Sequence, residues 1–238
     1  IEKEFQYVFE SCKWHYLGKT LDADPLTINA SLVADKIFHK SPVVQNELVN
    51  RSKPSGSANS AIRKLMKAML DNADEKDLGF DETTFPPEKG IYLSCLKSKG
   101  WHQHTEEGYL FPQVWSNQAK TYNKKMYEVF KAGYDFIKHA NRMVTVKEIY
   151  ELWMQPPYGL TIGLCRIYGL ALLKALDGKI AYYDFDSTQQ FVYIPELDEE
   201  LSAKLFRHPH EAAVKYFEMS DIQSHLISSI AKASLQNV

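Results

Sequence analysis

The chain has 238 residues, of which 45% are hydrophobic and 24% are charged, a balance typical of a soluble globular protein with one or two domains. Its formal net charge of −2 at pH 7 argues against a general affinity for nucleic acid. It shows no signal peptide and no apolar run of about 18 residues, which argues against secretion and against a membrane span.

The cysteine content points to the compartment. Three cysteines are scattered in apolar surroundings: Cys12, Cys95 and Cys165. This odd and sparse count predicts a reducing compartment without a disulfide framework, so we expect a cytoplasmic protein. Ile1 is not a natural start, and the final predicted helix over 221–238 ends without a stop signal. We therefore expect the chain to be an excised piece of a longer protein.

The triplet Gly18-Lys19-Thr20 follows the apolar and aromatic segment 1–16. It resembles the end of a phosphate-binding loop. That loop also requires an earlier glycine, where Lys13 stands, and a helix directly after it. Instead, two aspartates and a proline follow over 22–25. We interpret the triplet as a plain turn.

Apolar stripes and turn residues predict several helices in the first 115 residues. Helices are predicted over 26–40, over a short stretch after Ser41-Pro42, over 57–70 and from Pro86 to Leu96. A polar loop lies over 51–57, an acidic loop over 71–84, and a short strand is predicted over 109–114. Residues 1–115 are therefore predicted to form a helical unit, for which a winged-helix-like arrangement is one interpretation.

The densest basic segment of the chain covers residues 36–67. It contains seven basic residues against one acid, Glu47: Lys36, Lys40, Arg51, Lys53, Arg63, Lys64 and Lys67. If these charges converge, they can bind a phosphate backbone, because such contacts are electrostatic and need no reading of bases. The alternative is a solvated helix face and loop, which is what charge runs usually are.

Histidines and cysteines do not form a recognisable metal site. Cys95, His102 and His104 lack the three or four ligands at regular spacing that zinc requires, and His208 and His210 have the same weakness. Neither GxSxG nor HExxH occurs. We therefore predict no metal, no cofactor and no catalytic residues.

A second unit is predicted over 143–220, after a linking helix over 116–142. Thr145 and Glu148 form a capping-box pattern, and Pro156-Pro157 ends the helix that follows. A second helix runs from Thr161 to about Asp177. It carries only Arg166 and Lys174 as charges and is predicted to be buried nearly all round.

Two strands with a turn between them follow, in KIAYYD and QFVYIP. Helix, helix and hairpin in this order predict a winged-helix-like unit, so the fold class is mainly α with small β-hairpins (α+β). An acidic helix is predicted over 196–206. The segment from Asp184 to Asp221 contains nine acids and three lysines or arginines, a balance that suits a protein partner better than nucleic acid.

Three stretches together, 41–70, 77–102 and 144–173, carry a resemblance to a known family. Their clearest markers are Asn46-Glu47-Leu48-Val49-Asn50-Arg51, Pro86-Pro87-Glu88 and Pro156-Pro157-Tyr158-Gly159-Leu160. The chain resembles, over about residues 15–220, a region downstream of the nucleotide-binding domain in large bacterial anti-phage defence P-loop ATPases of the BREX type, the group of BrxC and PglY. The resemblance implies attachment to an ATPase and a role in phage defence. It implies no ATPase site here, because the phosphate loop and its metal-binding partner strand are missing.

Two functions follow as hypotheses. The first is a non-catalytic interaction or scaffold module that couples the ATPase to other domains or subunits of a defence complex. The second is weak, salt-sensitive and sequence-independent binding of duplex DNA through segment 36–67. The chain has only five arginines, which disfavours sequence-specific reading, because arginine is the usual reader of guanine. No set of residues satisfies the requirements of an enzyme.

Overall fold

The computed structural model describes residues 14–16, 18–21, 26–106, 108–115 and 123–218. About half of the chain is helical and a small antiparallel sheet accompanies the helices, which confirms the predicted α+β class. The predicted helix over 221–238 and the start of the predicted linking helix, 116–122, lie outside the described residues. None of the described helices combines the length and the apolar character needed to cross a bilayer.

The described helices are α1 (Leu26–Ile37), α2 (Glu47–Asn50), α3 (Gly56–Asp71), α4 (Pro87–Cys95), α5 (Lys124–His139), α6 (Val146–Met154), α7 (Ile162–Ala175) and α8 (Glu199–Arg207). The described strands are β1 (Trp14–Tyr16), β2 (Lys19–Leu21), β3 (Gln103–Thr105), β4 (Gly108–Leu110), β5 (Val144–Thr145), β6 (Ile180–Phe185), β7 (Phe191–Ile194) and β8 (Ala212–Tyr216). Strands β1 and β2 pair, and so do β3 and β4, while the other four form one sheet in the order β5-β8-β6-β7.

Several local predictions are confirmed by the hydrogen bonds that cap the helices. The capping box at the start of α6 is present, because the Thr145 hydroxyl accepts from the Glu148 backbone amide and the Glu148 carboxylate accepts from the Thr145 amide. Gly178 follows α7 in the left-handed conformation at φ 75°. Gly18 is likewise left-handed, and β1 and β2 pair on either side of it. The triplet therefore begins in a hairpin turn at Gly18 and continues into β2.

The short helix after Ser41-Pro42 begins later than predicted. Residues 41–46 are irregular, and α2 starts at Glu47 because the Asn46 side chain accepts from the Leu48 amide at 3.0 Å and caps the first turn. The strand predicted over 109–114 is also shorter, since β4 ends at Leu110. The helix predicted over 196–206 starts at Glu199 instead, where Asp198 caps it.

Strand β8 was not predicted, yet it lies between β5 and β6. Tyr182 of β6 is paired with Val214 of β8, and Val214 is in turn paired with Val144 of β5. The first two residues of this strand are alanines, which are depleted in strands, so the local composition does not predict a strand here. Its pairing depends on tertiary context. The β6–β7 hairpin itself was predicted and is confirmed.

One hydrophobic cluster contains the buried side chains of both predicted units. Phe130 of α5 lies at its centre, with its ring centroid 4.3 Å from Trp101 and 5.5 Å from Tyr168. Helix α7 is buried as predicted, because only Ile162, Arg166 and Lys174 among its residues retain appreciable exposure. Helix α7 packs against α3, α6 and α8. This packing sets α3 and α8 side by side.

Candidate interaction groove

The seven basic residues predicted as a phosphate-contact surface do not converge on one site. Lys36 lies in the last turn of α1 and is exposed, and Lys53 lies exposed in the loop before α3. Among pairs in which both residues are described, four of the seven form ion pairs: Lys40 with Glu128 (3.9 Å), Arg51 with Glu47 (3.3 Å), Lys64 with Glu88 (3.5 Å), and Lys67 with Asp71 (3.3 Å) and Glu199 (3.2 Å). Much of the positive charge of the segment is therefore matched within the protein.

Most of these acids are distant in sequence from the basic residues that they neutralise. Glu88, Glu128 and Glu199 come from α4, α5 and α8, so a count of charges within 36–67 does not include them. The structure does bring Arg63, Lys64 and Lys67 together on the exposed side of α3. There they line one wall of a groove.

This groove, which we call the α3–α8 groove, has a volume of about 270 Å³. Its walls are α3 and the antiparallel α8. The apolar lining consists of Met66, Leu70, Ala203 and Phe206, and the polar lining of Arg63, Lys64, Lys67, Glu199, Ser202 and Arg207. At one end Lys67 joins the two helices through its ion pair with Glu199. The other end is rich in arginine.

Arg166 of α7 lies beneath the arginine-rich end. Its Cζ is 3.9 Å from the ring centroid of Phe206, and the Cζ of Arg63 is 5.4 Å from the same centroid. Arg166 Nη1 donates to Asn59 Oδ1 at 2.9 Å, while its buried Nε has no hydrogen-bond partner. Burial lowers the pKa of the Arg166 guanidinium below its ordinary value, and the neighbouring charge of Arg63 lowers it further.

Three of the five arginines of the chain thus lie at or behind this end of the groove: Arg63 and Arg166 approach the Phe206 ring, and Arg207, the next residue, lines the groove. Within the described ranges, none of the three forms an ion pair with a carboxylate. Buried or half-buried charges in proteins are normally paired, because desolvation of an unpaired charge is costly. The arginine-rich end therefore holds a surplus of positive charge that the folded chain does not neutralise.

The groove presents groups that suit binding. Among the described residues that line it, one carboxylate is present, that of Glu199, which is paired with Lys67, and Ser202 is buried. A guanidinium offers a planar fork of donors that matches a carboxylate, and the apolar lining can accept an apolar side chain. A volume of about 270 Å³ is at the small end for a cofactor or drug-sized ligand, which usually needs ~300–1,000 Å³.

Two of the histidine and cysteine candidates, His102 and Cys95, are buried in the core. His102 is buried, with Nδ1 2.8 Å from the hydroxyl of Tyr92 and Nε2 2.8 Å from the carbonyl oxygen of Ala73. Burial raises the pKa of the Cys95 thiol to about 12, the opposite of what a metal-binding or nucleophilic cysteine requires. Over the described part of the chain, no three histidine, cysteine or acidic side chains are grouped so that they could hold a metal ion.

Sequence reasoning missed Phe206 and Arg207 and assigned no role to Arg166. One signal was available, since Arg166 interrupts a helix that is otherwise almost wholly apolar. A charge at such a position must reach solvent or a polar partner. That partner, Asn59, lies far away in the sequence, so the contact depended on tertiary structure.

The chain was also compared with known proteins. The resemblance to the BREX-type ATPases remains a prediction from the sequence, and the function is argued below from the groove. Comparison with protein-family models, with curated proteins and with solved structures found no match.

Proposed function

We propose that this chain is a non-catalytic interaction module that binds another protein through the α3–α8 groove. The observation that carries the proposal is the cluster of Arg63, Arg166 and Arg207 at one end of the groove, where none of them has a carboxylate partner among the described residues. A partner that supplies carboxylates would neutralise this surplus charge, and apolar contact in the groove would add to the affinity. Arginine and aromatic residues are also enriched among the energetically dominant positions of protein interfaces.

The surroundings of the groove favour a protein over DNA. Glu199 and Glu200 lie in the first turn of α8, and Glu196 and Asp198 precede them. These carboxylates repel a phosphate backbone that approaches along α8. The groove is concave and partly apolar, whereas phosphate contacts are made by polar and charged groups presented to the backbone. Its shape and composition resemble the recessed, partly apolar centre of a protein interface.

The family resemblance supplies the proposed context. In that context the chain couples a large bacterial anti-phage P-loop ATPase to partner subunits in the cytoplasm, and the partner is another domain or subunit of the defence complex. We also infer a winged-helix-like arrangement for 143–220, supported by the order β5, α6, α7 and the β6–β7 hairpin, with β8 inserted beside β5. Such folds serve protein contacts as well as DNA binding, so the fold alone does not decide between them.

A photo-crosslinking amino acid placed at Ala203 tests the proposal. Ala203 is exposed within the groove, and Gln189, at the exposed tip of the β6–β7 hairpin, is the matched control position. Each variant is co-expressed with the ATPase domain and the neighbouring subunits of the defence system. We expect a defined crosslink from position 203 and none from position 189. Crosslinks from both positions, or from neither, would count against the groove as the binding site.

Binding of DNA through 36–67 is the second candidate. It is supported by the exposed pair Arg51 and Lys53 in the loop before α3. Fluorescence anisotropy with labelled duplex DNA at low and moderate salt tests it, with wild type beside a variant in which Arg51, Lys53, Arg63, Lys64 and Lys67 are changed to glutamate. We expect no binding at micromolar protein. Binding that weakens with salt and disappears in the variant would place DNA first.

A further inference from the structure

We infer that the groove recognises a short acidic–apolar peptide segment, in which an apolar side chain lies next to carboxylates. This inference rests on the proposed function and names the chemistry of the bound partner. It follows from the unequal ends of the groove. Arg63 and Arg207 lie at one end, whereas Lys67 and Glu199 neutralise each other at the other.

The carboxylates of the segment belong at the arginine-rich end. Arg63 and Arg207 are exposed, line the groove and have no carboxylate partner in the described residues. Arg166 lies behind them against the Phe206 ring, where solvent screens its charge poorly. Its positive charge therefore strengthens the attraction for an anion at the rim. Arg63 and Arg207 supply the hydrogen bonds, because their guanidinium forks match a carboxylate.

The apolar side chain of the segment belongs beside the arginines, toward the middle of the groove. Ala203 is accessible there and lies beside Met66 and Phe206, which are almost fully buried, while Leu70 extends the apolar lining toward the Lys67–Glu199 end. The volume of about 270 Å³ accommodates side chains and not a folded element. An occupant with carboxylates at both ends is disfavoured, because Glu199 stands at the end away from Arg63 and Arg207. The charge pattern thus fixes the direction in which the segment lies.

The inference is tested by NMR titration of the isotopically labelled full chain with three short synthetic peptides. The first has the sequence Gly-Asp-Glu-Leu-Leu-Gly, with blocked ends. The second replaces its acids with Asn and Gln, and the third replaces its leucines with Ser. We expect the first to shift the backbone amides of Leu70 and Ala203 and the side-chain Nε–H signals of Arg63 and Arg207. We expect the other two to bind about tenfold more weakly.

A double variant, Arg63→Gln with Arg207→Gln, locates the site. Arg51→Gln is the matched control, because Arg51 is an exposed arginine outside the groove. We expect the double variant to lose about tenfold in affinity for the first peptide and the control to retain it. Circular dichroism of each variant verifies folding, and Arg63→Lys provides a milder change that keeps the charge.

Four outcomes would overturn the inference. They are equal binding of the amide peptide, shifts confined to residues outside the groove, no shift with any peptide, and the same shifts with inorganic phosphate, which would identify a general anion site. The crosslink from Ala203 reports separately on the proposed function. A crosslink without peptide binding means that the groove binds a protein of different chemistry. Shifts that depend on protein concentration instead of peptide indicate a second copy of this chain as the occupant.

Discussion

Replacement of Arg166 by methionine separates a structural role of this residue from a binding role. The side chain of methionine follows the path of the arginine stem and can still pack on Phe206, but it carries no charge. If Arg166 is present for a partner, its removal should not harm the isolated fold. We expect Arg166→Met to raise the free energy of unfolding by about 1–2 kcal/mol, because a half-buried charge without an ion pair is removed.

The contacts of Arg166 set this magnitude. Two contacts of the arginine stabilise the fold: its charged hydrogen bond to Asn59, by about 1.5–3 kcal/mol, and its contact with the Phe206 ring, by about 0.5–2 kcal/mol. Two features of the arginine destabilise the fold. The unsatisfied Nε costs about 1–3 kcal/mol, and partial desolvation of the charge costs about 2–3 kcal/mol when the penalty for a fully buried ion is halved. Methionine adds a sulfur–aromatic contact of about 0.3–1.5 kcal/mol. The balance favours methionine slightly.

Urea denaturation followed by circular dichroism measures the change. Lys174→Met is the matched control, because Lys174 is the other charge of α7 and its loss should change the free energy of unfolding by no more than about 0.5 kcal/mol. A loss of more than about 2 kcal/mol in Arg166→Met would refute the reasoning. Arg166 would then be a structural residue, and its half-buried charge would no longer be an argument for a binding partner.

Three further predictions concern the fold that positions the groove. Burial lowers the pKa of His102 below its unfolded value of about 6.5, so the neutral form is the one that the fold stabilises. The free energy of unfolding should therefore be highest above pH 6.5 and should fall as the pH decreases below that value. Thermal melts measured across this pH range should show a flatter pH dependence for His102→Gln than for the wild type. Gly163→Ala should cost about 1–3 kcal/mol in urea denaturation, because the added Cβ would lie 2.9 Å from the backbone oxygen of Val49. Thr145→Ala should cost about 1 kcal/mol in the same assay, through loss of the cap of α6.

Each of these predictions has a control. Gly90→Ala in α4 meets no atom within 4 Å and should stabilise by up to about 1 kcal/mol, so equal losses at Gly90 and Gly163 would contradict the packing argument. A pH dependence that is unchanged in His102→Gln would assign the effect to another group. Full stability of Thr145→Ala would show that the cap is dispensable.

The helices with strong local signals could be predicted from the sequence. The apolar stripe of α3, the capping box of α6 and the apolar character of α7 are all patterns within a few turns of chain, and the structure confirms them. Strand β8 could not be predicted in this way, because it exists only through pairing with β5 and β6. Local composition says little about a strand whose stability comes from its neighbours.

The candidate site was less predictable than the fold. Charges within 36–67 were counted along the chain, but Glu88, Glu128 and Glu199 approach them in three dimensions and cancel part of the positive charge. The arginines that remain unpaired come from three different helices. Only the packing of α3, α7 and α8 brings them to one end of the groove.

Helix α7 also joins the two predicted units to each other. The Thr161 hydroxyl at its start donates to the carbonyl oxygen of Val49, Arg166 in its middle donates to Asn59, and Tyr168 donates to the carbonyl oxygen of Cys95 at 3.4 Å. These three bonds fasten the earlier helices to the later ones along the length of one rod. The two predicted units are therefore joined along α7 as well as through one shared core, which argues against a flexible joint between 41–115 and 143–216.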